Sequence, residues 1–310
     1  MRSGALRESP RLVAGSHVAL VAPSGPLKSS AGVDRAMATA RLLGWRVSVG
    51  RHVLSKWDCF AGSDEERLGD LKAALLDESV DAIWCLRGGY GSMRLLPGLV
   101  AAVEHMAQRG RTQALIGYSD VTVLHAVWQR AGLVSYHGPT ARAALTDWSM
   151  SHFQEAVRGE RPGSVELVAP EAVCLNGGRR VGWLAGGNLA MVASLAGTPW
   201  AVDFRGAIAI LEDVGEATYR LDRMLAQLRL SGAFEGCAGV VFGDFTDCPP
   251  KTSDGERPLN HILEEFAADM GVPMIAGAPF GHIDDQWTLP LGALATLVAD
   301  ERRLTVHRSA

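Results

Sequence analysis

The residues Ala114-Leu-Ile-Gly-Tyr-Ser-Asp120 run directly into Val-Thr-Val-Leu-His-Ala-Val-Trp128. A short apolar run ends in Gly117-Tyr118-Ser119-Asp120, and a helical pattern begins at once. This is the arrangement of a nucleophile elbow, in which a serine sits on a sharp strand-to-helix turn with its hydroxyl exposed. The helix N-terminus behind it supplies free backbone N–H groups that can hold the oxyanion of an acyl-transfer intermediate. The pattern lacks the closing glycine of Gly-x-Ser-x-Gly. Ser and Asp are also favoured helix caps, so the segment alone leaves both roles open for Ser119.

A nucleophilic serine needs a base, and the base needs an orienting acid. Of the nine histidines, His17 opens a strand, His105 and His261 fall in helical patterns, and His52, His152 and His307 read as surface residues. His125 follows Ser119 on the same helix and is expected to point away from the elbow. His137 follows another strand and remains a competitor. His282 lies in Gly277-Ala-Pro-Phe-Gly-His-Ile-Asp-Asp285, a glycine-bearing loop after an apolar strand, where catalytic residues concentrate. For the acid, Glu212 is the first polar residue after Ala207-Ile-Ala-Ile-Leu211. Asp213 faces the other side if the strand continues, and Glu216 suits the N-terminus of the next helix. The order Ser, Glu, His matches that of α/β-hydrolases, but acid and base lie in the other half of the chain.

Arg87-Gly-Gly-Tyr-Gly91 can bring its backbone close to a ligand. It is neither a Walker loop nor Gly-x-Gly-x-x-Gly, so no nucleotide cradle is expected. Its better use is an N–H aimed at the substrate carbonyl, complementing that of Asp120; a plain tight turn is the other reading. No His-Glu-x-x-His or comparable metal spacing occurs, so neither metal nor cofactor is expected. The five scattered cysteines contain no Cys-x-x-Cys. They give neither a disulfide framework nor a zinc knuckle. Cys85 reads as a small core residue, and Cys85 and Cys237 are the weaker nucleophile candidates.

The elements that must position these groups follow from periodicity. His17–Pro23, Arg46–Val53 and Asp81–Leu86 read as strands, and Val33–Trp45, Glu65–Leu76 and Val100–Gln108 as helices. Such alternation implies an α/β fold with a parallel sheet, helices on both faces and ligands at the carboxyl ends of the strands. Periodicity fades between residues 141 and 180. The expected division is therefore an N-terminal α/β domain over 1–145, a linker over 146–178 and a C-terminal domain over 179–310. In the last, Gly186–Gly197 reads as a glycine-led helix and Tyr219–Leu230 as another. The formal charge is −4, unlike a basic nucleic-acid binder. No run reaches the roughly 18 apolar residues of a membrane span. The N-terminal Met1–Pro10 has no apolar h-region, so no signal peptide is expected, and the scattered cysteines fit a reducing, cytoplasmic location.

Several segments together resemble the LD-carboxypeptidases among the serine peptidases. They are Val21-Ala-Pro-Ser-Gly-Pro26, Phe60-Ala-Gly-Ser-Asp-Glu-Glu-Arg67, Arg87-Gly-Gly-Tyr-Gly-Ser-Met-Arg-Leu-Leu96, Ile116-Gly-Tyr-Ser-Asp120 and His137-Gly-Pro139. The series continues with Gly186-Gly-Asn-Leu189, Gly197-Thr-Pro-Trp200, Leu211-Glu-Asp-Val-Gly-Glu216, Phe280-Gly-His282 and Thr288-Leu-Pro-Leu-Gly-Ala293. The resemblance implies a catalytic triad of Ser119, Glu212 and His282. It also implies an oxyanion hole from the N–H of Asp120 and of Gly88 or Gly89, with Gly89 preferred. Arg87, Gly88 and Tyr90 become candidate substrate-binding residues. The implied fold is a flavodoxin-like N-terminal domain with a smaller β-rich C-terminal domain, in a homodimer. The implied activity is removal of the terminal D-alanine from muropeptide tetrapeptides, in cytoplasmic murein recycling. A related branch, the microcin C immunity peptidases, cleaves acyl bonds in aminoacyl- or peptidyl-nucleotides. A further alternative on the same fold is a non-catalytic muropeptide-binding protein.

Overall fold

The computed structural model describes residues 9–159, 163–248 and 257–308. Residues 1–8 of the expected leaderless N-terminus and 160–162 of the expected linker lie outside them. In chain order the first elements are β1 (His17–Val21), α1 (Ala31–Leu42), β2 (Arg46–Val49), α2 (Asp64–Leu76), β3 (Ala82–Cys85), α3 (Leu96–Gln108), β4 (Ala114–Gly117), α4 (Thr122–Arg130), β5 (Ser135–His137) and α5 (Asp147–Arg158). There follow β6 (Ser164–Val168), β7 (Val173–Asn176), β8 (Arg179–Asn188), α6 (Leu189–Leu195), β9 (Ala207–Val214), α7 (Thr218–Leu230) and β10 (Gly239–Thr246). The chain ends with α8 (Leu259–Met270), β11 (Met274–Ala276), β12 (Leu289–Leu291), β13 (Leu294–Val298) and β14 (Arg303–His307).

Two compact units result. The first comprises residues 1–159 with 288–292, the second 160–287 with 293–310. The first holds a sheet in the order β2-β1-β3-β4-β5-β12. Its first five strands are parallel, and β12 joins antiparallel with Leu289 opposite His137. The order 2-1-3-4-5 is the flavodoxin-like winding, with its switch point between β1 and β3. Strands β3 and β4 are buried at every position, as strands covered on both faces must be. Helix α2 starts at a capping box: the Glu66 N–H donates to Ser63 Oγ at 3.2 Å, and the Ser63 N–H donates to Glu66 Oε2 at 2.8 Å.

The span 146–178 is not a linker: it contains α5, β6 and β7. Thr146 caps α5 by accepting from the Ser149 N–H at 3.1 Å, and Gly159 ends it in the left-handed region. Ser149, Phe153 and Val157 form its buried face. Phe153 stacks on Trp84 at 5.2 Å and meets Trp45 edge-on at 6.0 Å. One apolar residue per turn among polar ones is a thin signal, yet that stripe completes the core of the first unit.

The second unit is a mixed sheet, β6-β14-β13-β8-β9-β10-β11-β7. Strands β8, β9, β10 and β11 are parallel; the flanking pairings are antiparallel. The expected glycine-led helix at Gly186 is corrected here. Gly186 and Gly187 end β8, and the helix begins only at Leu189 behind the cap Asn188. The reason is close approach: a Cβ on Gly186, at φ +119°, would stand 2.2 Å from the Ile210 carbonyl oxygen. Among the described residues no helix is long and apolar enough to cross a membrane.

Candidate active site

The nucleophile candidate rests on the end of β4. Gly117 has φ 158°, Tyr118 is extended, and Ser119 takes φ +65° at the head of a short 3-10 turn, Ser119–Val121, that leads into α4. A serine in the left-handed region is strained, and such strain is typical of functional turns. The Ser119 side chain is half-buried. Gly117 is required because a Cβ there would meet Val121 at 3.1 Å and Cys85 at 3.2 Å.

The turn after β3 lies against this serine. A Cβ on Gly88 would stand 2.9 Å from Ser119 Cβ, 3.0 Å from its Oγ and 3.4 Å from the Asp120 nitrogen. The Gly88 carbonyl accepts from the Gly25 N–H at 3.1 Å. Across the trans peptide, the Gly89 N–H therefore points away from Gly25. Among the described residues neither the Gly89 nor the Asp120 N–H has a backbone acceptor. The Asp120 carboxylate is buried and accepts from the Ser92 N–H at 2.9 Å, which ties the elbow to the turn at Ser92–Leu95. Tyr90 is exposed, its ring 5.2 Å from that of Phe60.

Arg67 holds these loops together, a role that sequence reading passes over. It is fully buried in α2 and donates to the carbonyls of Pro23, Gly62 and Gly91, the last at 3.0 Å. It also pairs with Asp64 and packs over the Phe60 ring. A buried charged side chain with so many acceptors is a structural staple rather than a solvated helix residue. The signal was its place in the Phe60–Arg67 motif.

In the second unit, His282 Nδ1 lies 2.8 Å from Glu212 Oε2. Glu212 is wholly buried inside β9, which continues to Val214 instead of stopping before it. A carboxylate only accepts, so Nδ1 carries the proton and Nε2 is the basic nitrogen. The loop reaches Glu212 because Gly281, at φ +120°, has no side chain: a Cβ would stand 3.0 Å from Glu212 Oε2. The Phe280 carbonyl accepts from the Asp244 N–H at 2.9 Å, and Thr246 Oγ1 donates to the His282 carbonyl at 3.2 Å. Asp244 and Thr246 are thus supports that the sequence does not single out.

Residues 18–138 match the LD-carboxypeptidase N-terminal domain, and residues 181–297 match the C-terminal domain. The chain belongs to the LD-carboxypeptidase family. It is 37% identical to the murein tetrapeptide carboxypeptidase of Pseudomonas aeruginosa, over 92% of this chain and 94% of that one. The crystal structure of muramoyltetrapeptide carboxypeptidase from Oxalobacter formigenes superposes with TM-score 0.82 at 32% identity, covering 94% of this chain and 98% of that one. The microcin C7 self immunity protein MccF superposes with TM-score 0.86 at 20% identity, covering 97% and 98%, a likeness of fold alone.

The other groups weighed from the sequence find different roles in this family member. Asp213 faces away from Glu212 and accepts from the Asn188 side chain and the Ala190 N–H, both at 2.9 Å, at the start of α6. Burial raises its carboxyl to about 6. Glu216 pairs with Arg220 at 3.3 Å. His125 is buried between the Gly117 carbonyl and Ser135 Oγ, each at 2.9 Å, and burial lowers its pKa to about 4. His137 is buried in β5 with its ring edge-on to Tyr118. Cys85 and Cys237 are buried, which raises their thiol pKa values and makes them poor nucleophiles. Among the described residues no three His, Cys, Asp or Glu side chains group as a metal site requires.

Proposed function

We propose that this protein is a serine carboxypeptidase that releases the terminal D-alanine of murein tetrapeptides. Ser119 is the nucleophile, His282 its base and Glu212 the orienting acid. The observation that carries this reading is Ser119 itself, held at positive φ with its hydroxyl against the Gly88 turn. His282 Nε2 takes the Ser119 proton as Oγ bonds to the scissile carbonyl carbon. Glu212 fixes the tautomer and stabilises the imidazolium. The N–H groups of Gly89 and Asp120 receive the oxyanion, and loss of one such donor costs about 3 kcal/mol in the barrier. The C–N bond then breaks, His282 returns the proton to the departing amine, and water releases the acyl-enzyme by the same steps in reverse. Arg87, Gly88 and Tyr90 contact the substrate in this reading.

The substrate assignment is supported by two relatives named for murein or muramoyl tetrapeptide cleavage, each matched along nearly its whole length. The nucleotide-conjugate alternative has less support, since the MccF likeness speaks to fold alone. We further propose a cytoplasmic homodimer acting in peptidoglycan recycling; light scattering at the mass of a single chain would count against the dimer. The deciding experiment is mass spectrometry of purified muropeptides digested by the wild type and by Ser119→Ala. Loss of one D-alanine with the wild type alone is expected. Release by Ser119→Ala at wild-type rate excludes Ser119 as nucleophile, and an unchanged digest with a cleaved aminoacyl-nucleotide shifts the reading to the other branch.

A further inference from the structure

Arg87 follows β3, Arg142 follows β5 and Arg35 lies in α1, which follows β1. Arg87 Nη1 donates to the Pro26 carbonyl at 2.5 Å, and its Cζ lies 3.6 Å from where a Cβ on Gly25 would stand. The Ala141 N–H donates to the Cys85 carbonyl at 2.9 Å, which lays the segment after β5 against the end of β3. Arg142, the next residue, is thereby carried by the segment that lies against the strand end leading into Arg87. Its Cβ is 3.4 Å from where a Cβ on Gly32 would stand, in the first turn of α1. Arg35, one turn further along α1 from Gly32, donates to the Arg142 carbonyl at 3.1 Å.

Charge balance within this group is left open by the described side chains around it. Among the described residues Arg35, Arg87 and Arg142 make no ion pair with a carboxylate, and Asp34 beside Arg35 pairs with none of them. The Arg142 guanidinium is held below its ordinary value, by desolvation first and then by the charge of Arg87, with Arg35 adding to it. The N-terminus of α1 adds partial positive charge of its own. Like charges gathered at the carboxyl end of a parallel sheet are unfavourable until an anion arrives, and guanidinium groups suit a carboxylate in particular. The place is informative too. Arg87 precedes Gly88, which touches Ser119, and Tyr118 precedes Ser119. In a substrate that loses its last residue, the free carboxylate lies one residue beyond the attacked carbonyl.

We propose that Arg87 and Arg142 form the subsite for the free C-terminal carboxylate of the peptide cleaved at Ser119, and so restrict cleavage to the last residue. The proposal rests on the carboxypeptidase reading above and assigns a specificity role to Arg142. The test compares a murein tetrapeptide with its C-terminal amide, using wild type, Arg87→Gln, Arg142→Gln and Arg142→Lys. A charge-assisted contact gives a preference of about 10- to 100-fold in kcat/KM for the acid. Arg142→Gln should lose most of it through KM on the acid while leaving the amide unchanged. Arg142→Lys should restore part, since lysine keeps the charge without the fork. Equal losses on both peptides, or none on either, overturn the proposal. Titration of Ser119→Ala, with and without Arg142→Gln, separates this from the activity itself. If the wild type hydrolyses neither peptide, the carboxypeptidase reading falls. Tighter binding of the acid that vanishes with Arg142→Gln still sustains the subsite, and equal affinity for acid and amide overturns it.

Discussion

Glu212 and Asp213 are chain neighbours with opposite tasks, and strand geometry divides them. Successive side chains in β9 leave on opposite faces, so Glu212 meets His282 while Asp213 meets Asn188 and the Ala190 N–H. In the proposed triad, Glu212→Gln keeps the shape and removes the charge that would stabilise the imidazolium. Turnover on a tetrapeptide is expected to fall by about 10³ to 10⁴. Glu216→Gln, measured beside it, should retain near wild-type turnover because its partner is Arg220. Asp213 instead leaves a mark on stability. Its carboxyl is raised to about 6, above the unfolded value of about 4. Between these pH values the folded protein holds a proton that the unfolded chain has lost. The contribution of Asp213 to stability is therefore full below about pH 4 and declines as pH rises through 6. Denaturant unfolding from pH 4 to 7 should show that decline in wild type and a flatter profile in Asp213→Asn. The variant should also be less stable throughout, since one amide nitrogen now faces an N–H donor.

Turns without side chains, locked by one buried cation, position Ser119, the proposed nucleophile. Gly88 is the sharpest case. An alanine there would press its Cβ to 3.0 Å from Ser119 Oγ, so turn or serine must shift. A displacement of about 1 Å at a reacting centre can cost roughly a hundredfold in rate. Gly88→Ala should show that loss in kcat with circular dichroism unchanged and a stability cost of about 1–3 kcal/mol. Arg67 acts one layer out. Arg67→Met would leave the carbonyls of Pro23, Gly62 and Gly91 without their donor. The urea midpoint should drop by the equivalent of about 3 kcal/mol, the scale of breaking a buried charged network. A variant as stable as wild type would show that water replaces the guanidinium without cost.

For the whole molecule, the late strand β12 matters most. Residues 288–292 belong with the first unit although the chain on either side belongs to the second. Leu289, Pro290 and Leu291 pair with His137, Tyr136 and Ser135, and so cover the β5 edge of the first sheet. An uncovered edge is a template for association with other chains. A chain ending at Trp287 loses β12 from the first sheet and β13 and β14 from the second. It is expected to lack a cooperative thermal transition and to aggregate, as light scattering on heating would report. A sharp transition near the wild-type midpoint would mean that each sheet tolerates its open edge.

Much of this protein is legible before folding is considered. The alternation of strands and helices in the first half, the strand-to-helix turn at Ser119 and the opposite facing of Glu212 and Asp213 all follow from local periodicity and strand alternation. These are short-range properties, and the sequence states them directly. The rest depends on contacts between distant segments. α5 escapes a reading of the sequence because its buried face of Ser149, Phe153 and Val157 gains meaning only where Phe153 meets Trp45 and Trp84. Gly186 was misread because a glycine pair suits a helix start as well as a strand. Only the Ile210 carbonyl, 2.2 Å from where its Cβ would be, decides between them. The depth of Arg67 is equally invisible in one dimension. A charged residue in a sequence reads as solvated until the tertiary structure removes the water around it.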